Sequence, residues 1–210
     1  LLERFPDAPR IRLARAVAIA SRLMVTTEMD TPREGERTNP AVTLAPPPGP
    51  AGAVLEDRRQ ATLAYATRQF ADLVFDASVG AEARARLAQM HMRSTAFDQA
   101  LAAATMAAGE AADPDVRYIA HVIAAQASQA LGDLRSAERH YGLALAARPG
   151  SQSATLGLAA LTHRRGDGEA AYALIAQSPF GDDDPWRLFL YGDFPRLPRL
   201  IAELRRGVTR

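Results

Sequence analysis

The sequence predicts an all-α protein: a short solenoid of antiparallel helix hairpins. Three observations carry that reading. Two segments superimpose on a shift of 34 residues: Gly132-Asp133 recurs as Gly166-Asp167, Ala137 as Ala171, and the apolar Tyr141 as Ile175. A Gly followed five residues on by Ala, at this period, suits a repeated helix–turn–helix unit. The Gly closes the first helix in a left-handed turn, and the Ala lets the second helix pack closely on it. Alanine, the strongest intrinsic helix former, accounts for 44 of the 210 residues. Aromatic residues make up only 6%, so helices must meet through small side chains.

Residues 1–24 read as a partial repeat. Leu1-Leu2-Glu3-Arg4-Phe5-Pro6 resembles a helix end with its terminating proline, and Ile11, Leu13, Ala14, Val17 and Ala18 are spaced for a following helix. Residues 25–53 carry Pro32, Pro40, Pro46, Pro47, Pro48 and Pro50, which predicts a flexible linker or loop. The triple proline within it would also suit a ligand for a proline-binding domain. Helix resumes near Val54 and is expected to run to Asp76, with Leu63, Ala66, Phe70, Leu73 and Val74 as its apolar stripe. Hairpins are predicted over 81–109, 118–148 and 152–177, so that residues 54–178 form the helical-repeat region. Residues 179–210 are expected to cap it. Asp184 and Pro185 suit the N-cap and first turn of a helix. Phe180, Trp186, Phe189, Tyr191 and Phe194, with Leu188 and Leu190, would cover the open end of the last hairpin. A final helix over 196–206, turning Leu197, Leu200, Ile201 and Leu204 inward, would complete the cap.

One unit is legible in full. Over 118–151, Ala124 and Ala125 hold the first helix, Gly132 the turn, and Ala137, Tyr141 and Ala144 the small, bulky and small positions of the second, with Pro149 ending it. The next unit keeps Leu158, Ala159, Gly166, Ala171 and Ile175 but has Ser178 where a second small helix-B residue belongs. An upstream unit (Leu87, Ala88, Ala100, Ala104, Ala107) sits at an offset of 37, which places about three extra residues near Ala111-Ala112-Asp113-Pro114. This pattern resembles the tetratricopeptide repeat. The resemblance implies a right-handed α-solenoid with a C-terminal capping helix, whose groove is lined by helix-A side chains: Gln89 and Arg93, Gln126 and Gln129, His163 and Arg164. Such polar, partly cationic side chains suit an extended or acidic peptide. Members of the family that clamp a peptide carboxylate use Asn and basic residues at set helix-A positions. Gln89, Gln126 and Ala160 stand at the Asn position here, with Ala85, Val122 and Leu156 nearby, which speaks against such a clamp.

Chemistry is not legible in the sequence. With no cysteine there is no disulfide, thiolate site or cysteine nucleophile. His91, His121, His140 and His163 form no zinc spacing, although His121 and His140 could approach across a hairpin. Asp182-Asp183-Asp184 lacks the ligand pattern of a calcium loop. Gly166-Asp167-Gly168-Glu169-Ala170-Ala171 mimics a dinucleotide fingerprint but follows a helix, not a strand. All 25 basic residues are arginine, which matches the coding bias of a GC-rich bacterial genome, and the formal net charge is +1. Nucleic-acid binding would rest only on Arg196, Arg199, Arg205, Arg206 and Arg210, and is not expected. No stretch is long and apolar enough to span a membrane. The opening Leu1-Leu2-Glu3 predicts a start inside a longer protein. The expected function is a non-catalytic scaffold for a protein or peptide partner, with no cofactor and no metal. The alternative is a regulatory or structural appendage of an enzyme whose catalytic domain lies outside this chain.

Overall fold

A computed structural model describes residues 8–28, 50–178 and 184–190. Among these residues there are nine helices and no strand. They are α1 (Pro9–Glu28), α2 (Pro50–Ala71), α3 (Gly80–Arg93), α4 (Phe97–Glu110), α5 (Pro114–Ala130), α6 (Leu134–Ala147), α7 (Gln152–Arg164), α8 (Gly168–Ala176) and α9 (Pro185–Leu190). None is long and apolar enough to cross a membrane. Helices pack as sequential pairs, α1 on α2, α3 on α4, α5 on α6 and α7 on α8, and each pair leans on the next.

The repeated turns explain the phasing. Gly132 and Gly166 adopt φ of 81° and 90°, the left-handed region that a Cβ disfavours. Each is followed by an aspartate that caps the next helix: Asp133 Oδ1 accepts from the Ser136 N–H at 2.9 Å, and Asp167 Oδ1 from that of Ala170 at 2.9 Å. At the α3–α4 turn the same place is held by Thr95, at φ 58°. Thr95 lies 37 residues before Gly132, so the offset seen in the alanines is the true register of the turns. The extra residues do not fall in the expected link at 111–113 but within α5, which has 17 residues against 14 in α3; Asp113 caps it by accepting from the Asp115 N–H at 2.8 Å.

Where helices cross, the side chains are small. Ala88, Ala100, Ala104, Ala107, Ala124, Ala125, Ala137 and Ala144 are each fully enclosed. Helix α5 is buried on most sides, with Val122, Ile123, Ala124 and Ala125 all at 0% exposure, as expected of an inner helix. Tyr141 and Ala171 are buried as the repeat predicts. Ile175, expected to repeat the buried Tyr141, is 37% exposed, because α8 is the outer helix of the last pair in the described region. Tyr141 itself packs where α7 carries Gly157. A Cβ on Gly157 would fall inside the Tyr141 ring, so the glycine permits this crossing. The ring is pinned by its hydroxyl, which donates to Gln129 Oε1 at 2.7 Å.

Two boundaries differ from the sequence reading. The helix expected over 54–76 starts earlier, at Pro50, and ends at Ala71. Leu73 and Val74 are buried in the turn that follows instead of extending its stripe. That turn passes so close to α3 that a Cβ on Gly80 would lie 2.7 Å from the Val74 carbonyl oxygen. The proline-rich segment read as 25–53 is also shorter, since α1 continues through Glu28 and α2 begins at Pro50; residues 29–49 lie outside the described region. Helix α1 is the partner that α2 lacked in the sequence. Leu13, Ala16, Val17, Ala20 and Leu23 pack with Leu63, Ala66 and Phe70 in one apolar cluster.

Candidate binding face

Helices α1 and α3, the first members of their pairs, run parallel. Arg10 near the start of α1 bonds Glu82 near the start of α3 at 3.0 Å, and Arg93 at the end of α3 donates to the Leu23 carbonyl at 2.7 Å. Helix α3 also packs along α5. Ala154 and Leu161 of α7 join the same apolar cluster as Tyr118 and Ile123 of α5. The first helices of successive pairs thus lie near one another, α1 beside α3, α3 along α5, and α7 in the cluster of α5.

The surface they share is occupied. The segment from Asp184 through α9 was expected over the open end of the last hairpin, but its anchors run back across the first helices. Asp184 Oδ2 accepts from the Ser153 N–H at the start of α7 at 2.7 Å, and Oδ1 accepts from the Tyr118 hydroxyl on α5 at 2.8 Å. Oδ1 also caps α9 by accepting from the Trp186 N–H at 2.9 Å, so the predicted N-cap role holds although the place differs. At the far end, Arg86 on α3 donates to the Phe189 carbonyl at 2.5 Å, and its guanidinium lies 3.7 Å from the Phe189 ring centroid. The Trp186 and Phe189 rings stack at 5.8 Å, and both are buried within the α3–α7 core cluster. Phe180, Tyr191, Phe194 and the helix expected over 196–206 lie outside the described residues.

The electrostatics of this contact favour the charged carboxylate. Burial alone pushes Asp184 up, but the donors from Ser153, Tyr118 and Trp186 outweigh it and hold the carboxyl below its ordinary range. Burial and then the adjoining carboxylate push the Tyr118 phenol up, so its hydroxyl keeps its proton and remains the donor. Arg86 and Asp184 are 4% and 3% exposed, and charged groups are found this deep only where specific partners hold them.

The six residues expected to line the groove divide into three kinds. Gln89 and Arg93 are covered from within: Gln89 is buried and lines a narrow cleft with Ser21 of α1 and Phe189 of α9, while Arg93 is tied to α1. Gln129 serves the fold by accepting from Tyr141. Gln126 is half-buried, and His163 and Arg164 are exposed near the end of α7. Sequence reasoning missed Arg86, Tyr118 and Ser153, which do most of the polar work on this face. Only the aspartate before Pro185 and the two aromatics after it signalled the counterpart.

Across the α5–α6 hairpin His121 and His140 do meet, with their Nδ1 atoms 3.4 Å apart and ring centroids at 5.6 Å. Burial lowers both, and His121, with His140 and Arg117 nearby, falls to about 4. No group of three metal-ligating side chains occurs among the described residues, and two ring nitrogens fall short of a zinc site. Comparison with known proteins gave no match to any family model, curated protein or solved structure.

Proposed function

We propose that this chain is a tetratricopeptide-like, right-handed solenoid acting as a non-catalytic scaffold that binds a protein or peptide partner on its helix-A face. The observation that carries the reading is the repeated turn: Gly132 and Gly166 take the same left-handed backbone, 34 residues apart, each ahead of an aspartate cap and a buried alanine. A unit repeated in this way contacts only its neighbours and leaves one long face for recognition. Gln126, His163 and Arg164 supply hydrogen-bonding groups on the part of that face that α9 leaves open. They suit a peptide backbone or acidic side chains.

A photo-cross-linking amino acid at the position of Gln126 or Arg164 should capture a partner, while the same group at Arg135, exposed on α6, should not. Equal yields from both faces, with circular dichroism showing all variants folded, would remove the helix-A face as the binding surface.

A further inference from the structure

Residues 184–190 combine apolar burial with polar anchors, as a bound peptide does. Their anchors are one carboxylate, two stacked rings and one backbone carbonyl. The carboxylate meets the Tyr118 hydroxyl and the Ser153 N–H, and the guanidinium of Arg86 meets both the Phe189 ring and its carbonyl. A helix of six residues does not hold its shape in water unaided, so the face imposes this conformation on the segment. Contacts built from desolvated polar groups give specificity more than net stability, which suits exchange. The spacing is readable as a motif: an aspartate, an aromatic two residues on, and a second aromatic three residues after that.

We propose that the face of α3, α5 and α7 is a recognition site for an acidic–aromatic segment, Asp-x-aromatic-x-x-aromatic, and that residues 184–190 are its internal ligand, displaced when a partner protein presents the same motif. The proposal rests on the scaffold reading above and names the partner's chemistry. Five residues separate Ser178 from Asp184. A ligand joined to its own site through the same chain competes at an effective concentration on the order of millimolar, and a competitor must approach that to exchange. Arg86 and Tyr118 then serve the incoming segment as they serve the internal one. Gln89, Ser21 and Arg93 lie beside the vacated track and would meet residues that follow its second aromatic.

Trp186 is the only tryptophan in the chain, so its emission reports the segment directly in the unaltered protein. A tryptophan-free peptide, Asp-Pro-Phe-Arg-Leu-Phe-Leu, added to the full chain should shift Trp186 emission to the red at millimolar concentration while helicity at 222 nm stays constant. The same peptide with Ala in place of Asp should need at least tenfold more. In an Asp184→Ala/Phe189→Ala chain, a fluorescently labelled 184–190 peptide should bind at least tenfold more tightly than to the wild type, and adding Arg86→Ala should abolish that gain. Trp186 emission unmoved by about 10 mM peptide overturns the proposal, as does an equal response to the Ala-containing peptide. Exposure of Trp186 only together with loss of helicity in urea also overturns it, because the segment is then part of the core. The wild-type arm decides even where the double variant fails to fold. Cross-linking at Gln126 and Arg164 is independent of this exchange, so the scaffold reading and this one fail separately.

Discussion

Gly157 lies within α7, where replacing glycine by alanine ordinarily stabilises a helix by about 0.5–1 kcal/mol. Here the sign should reverse. The added Cβ would overlap Cζ and Cε1 of Tyr141 and lie 2.8 Å from its hydroxyl oxygen. That ring is 3% exposed and held by Gln129, so it has nowhere to retreat without losing the hydrogen bond. Overpacking a closed contact costs about 1–3 kcal/mol, and the lost hydrogen bond about 1 kcal/mol. Set against the propensity gain, Gly157→Ala should destabilise the protein by about 1–3 kcal/mol. For a chain of this size that is a fall in Tm of roughly 2–12 °C.

A double-mutant cycle isolates the cause. In a Tyr141→Leu background the overlap is gone, and Gly157→Ala should return to its ordinary stabilising sign, for a coupling of about 1.5–4 kcal/mol. Thermal melts at 222 nm supply the four stabilities, and hydrogen exchange over α7 shows whether loss is local, as stacked repeats permit. A rise in Tm on Gly157→Ala in the wild type would refute the argument, since it would mean the Tyr141 ring yields freely and the α6–α7 crossing is not set by this glycine.

Thr95 holds a β-branched side chain at φ 58°, so Thr95→Gly should raise stability by about 0.5–1 kcal/mol, measured by urea titration; a loss would show the turn is not strained. The His121–His140 contact makes stability depend on acid. Burial, then His140 and Arg117, depress His121 to about 4, and burial with Arg139 depresses His140 against the opposing pull of Asp133. The unfolded chain therefore binds protons first. Stability is full above about pH 6.5 and falls as pH drops from there toward 4, by about 1–2 kcal/mol for His121 once its partial solvent exposure is allowed for. His121→Gln should flatten that slope in melts between pH 7 and 4.5, and an unchanged slope would assign the acid sensitivity elsewhere.

The parts of the fold that were legible are those a local rule dictates. A left-handed turn asks for glycine whatever surrounds it, and a close helix crossing asks for alanine, so the turns and alanine crossings of 118–171 could be read directly, while Ile175, expected to be buried like Tyr141, is exposed. Thr95 hid the upstream turn because it violates the first rule, leaving only the alanines to give the offset of 37. The pairing of α1 with α2 was hidden by the chain between them, since a repeat pattern is recognised through adjacency. Gln129 stood at a groove position, but its role depends on a tyrosine twelve residues away on the next helix. The α9 segment was the least legible. Its cap and first turn follow from Asp184-Pro185, but its location depends on contacts 66 and 103 residues distant in sequence, and six residues carry no periodicity that could announce them.

The position of α9 decides what kind of partner the face can take. With the segment in place, the open groups are Gln126, His163 and Arg164, toward the ends of α5 and α7. A partner confined there meets polar and cationic side chains and no aromatic pocket, so it would gain orientation and little apolar burial. With the segment displaced, the sites of Trp186 and Phe189 open beside Arg86 and Tyr118, and the same face offers pockets for a partner's aromatic anchors, which carry most binding energy in protein interfaces. Affinity for an acidic–aromatic partner should therefore track the release of residues 184–190, while affinity for a purely acidic peptide should not.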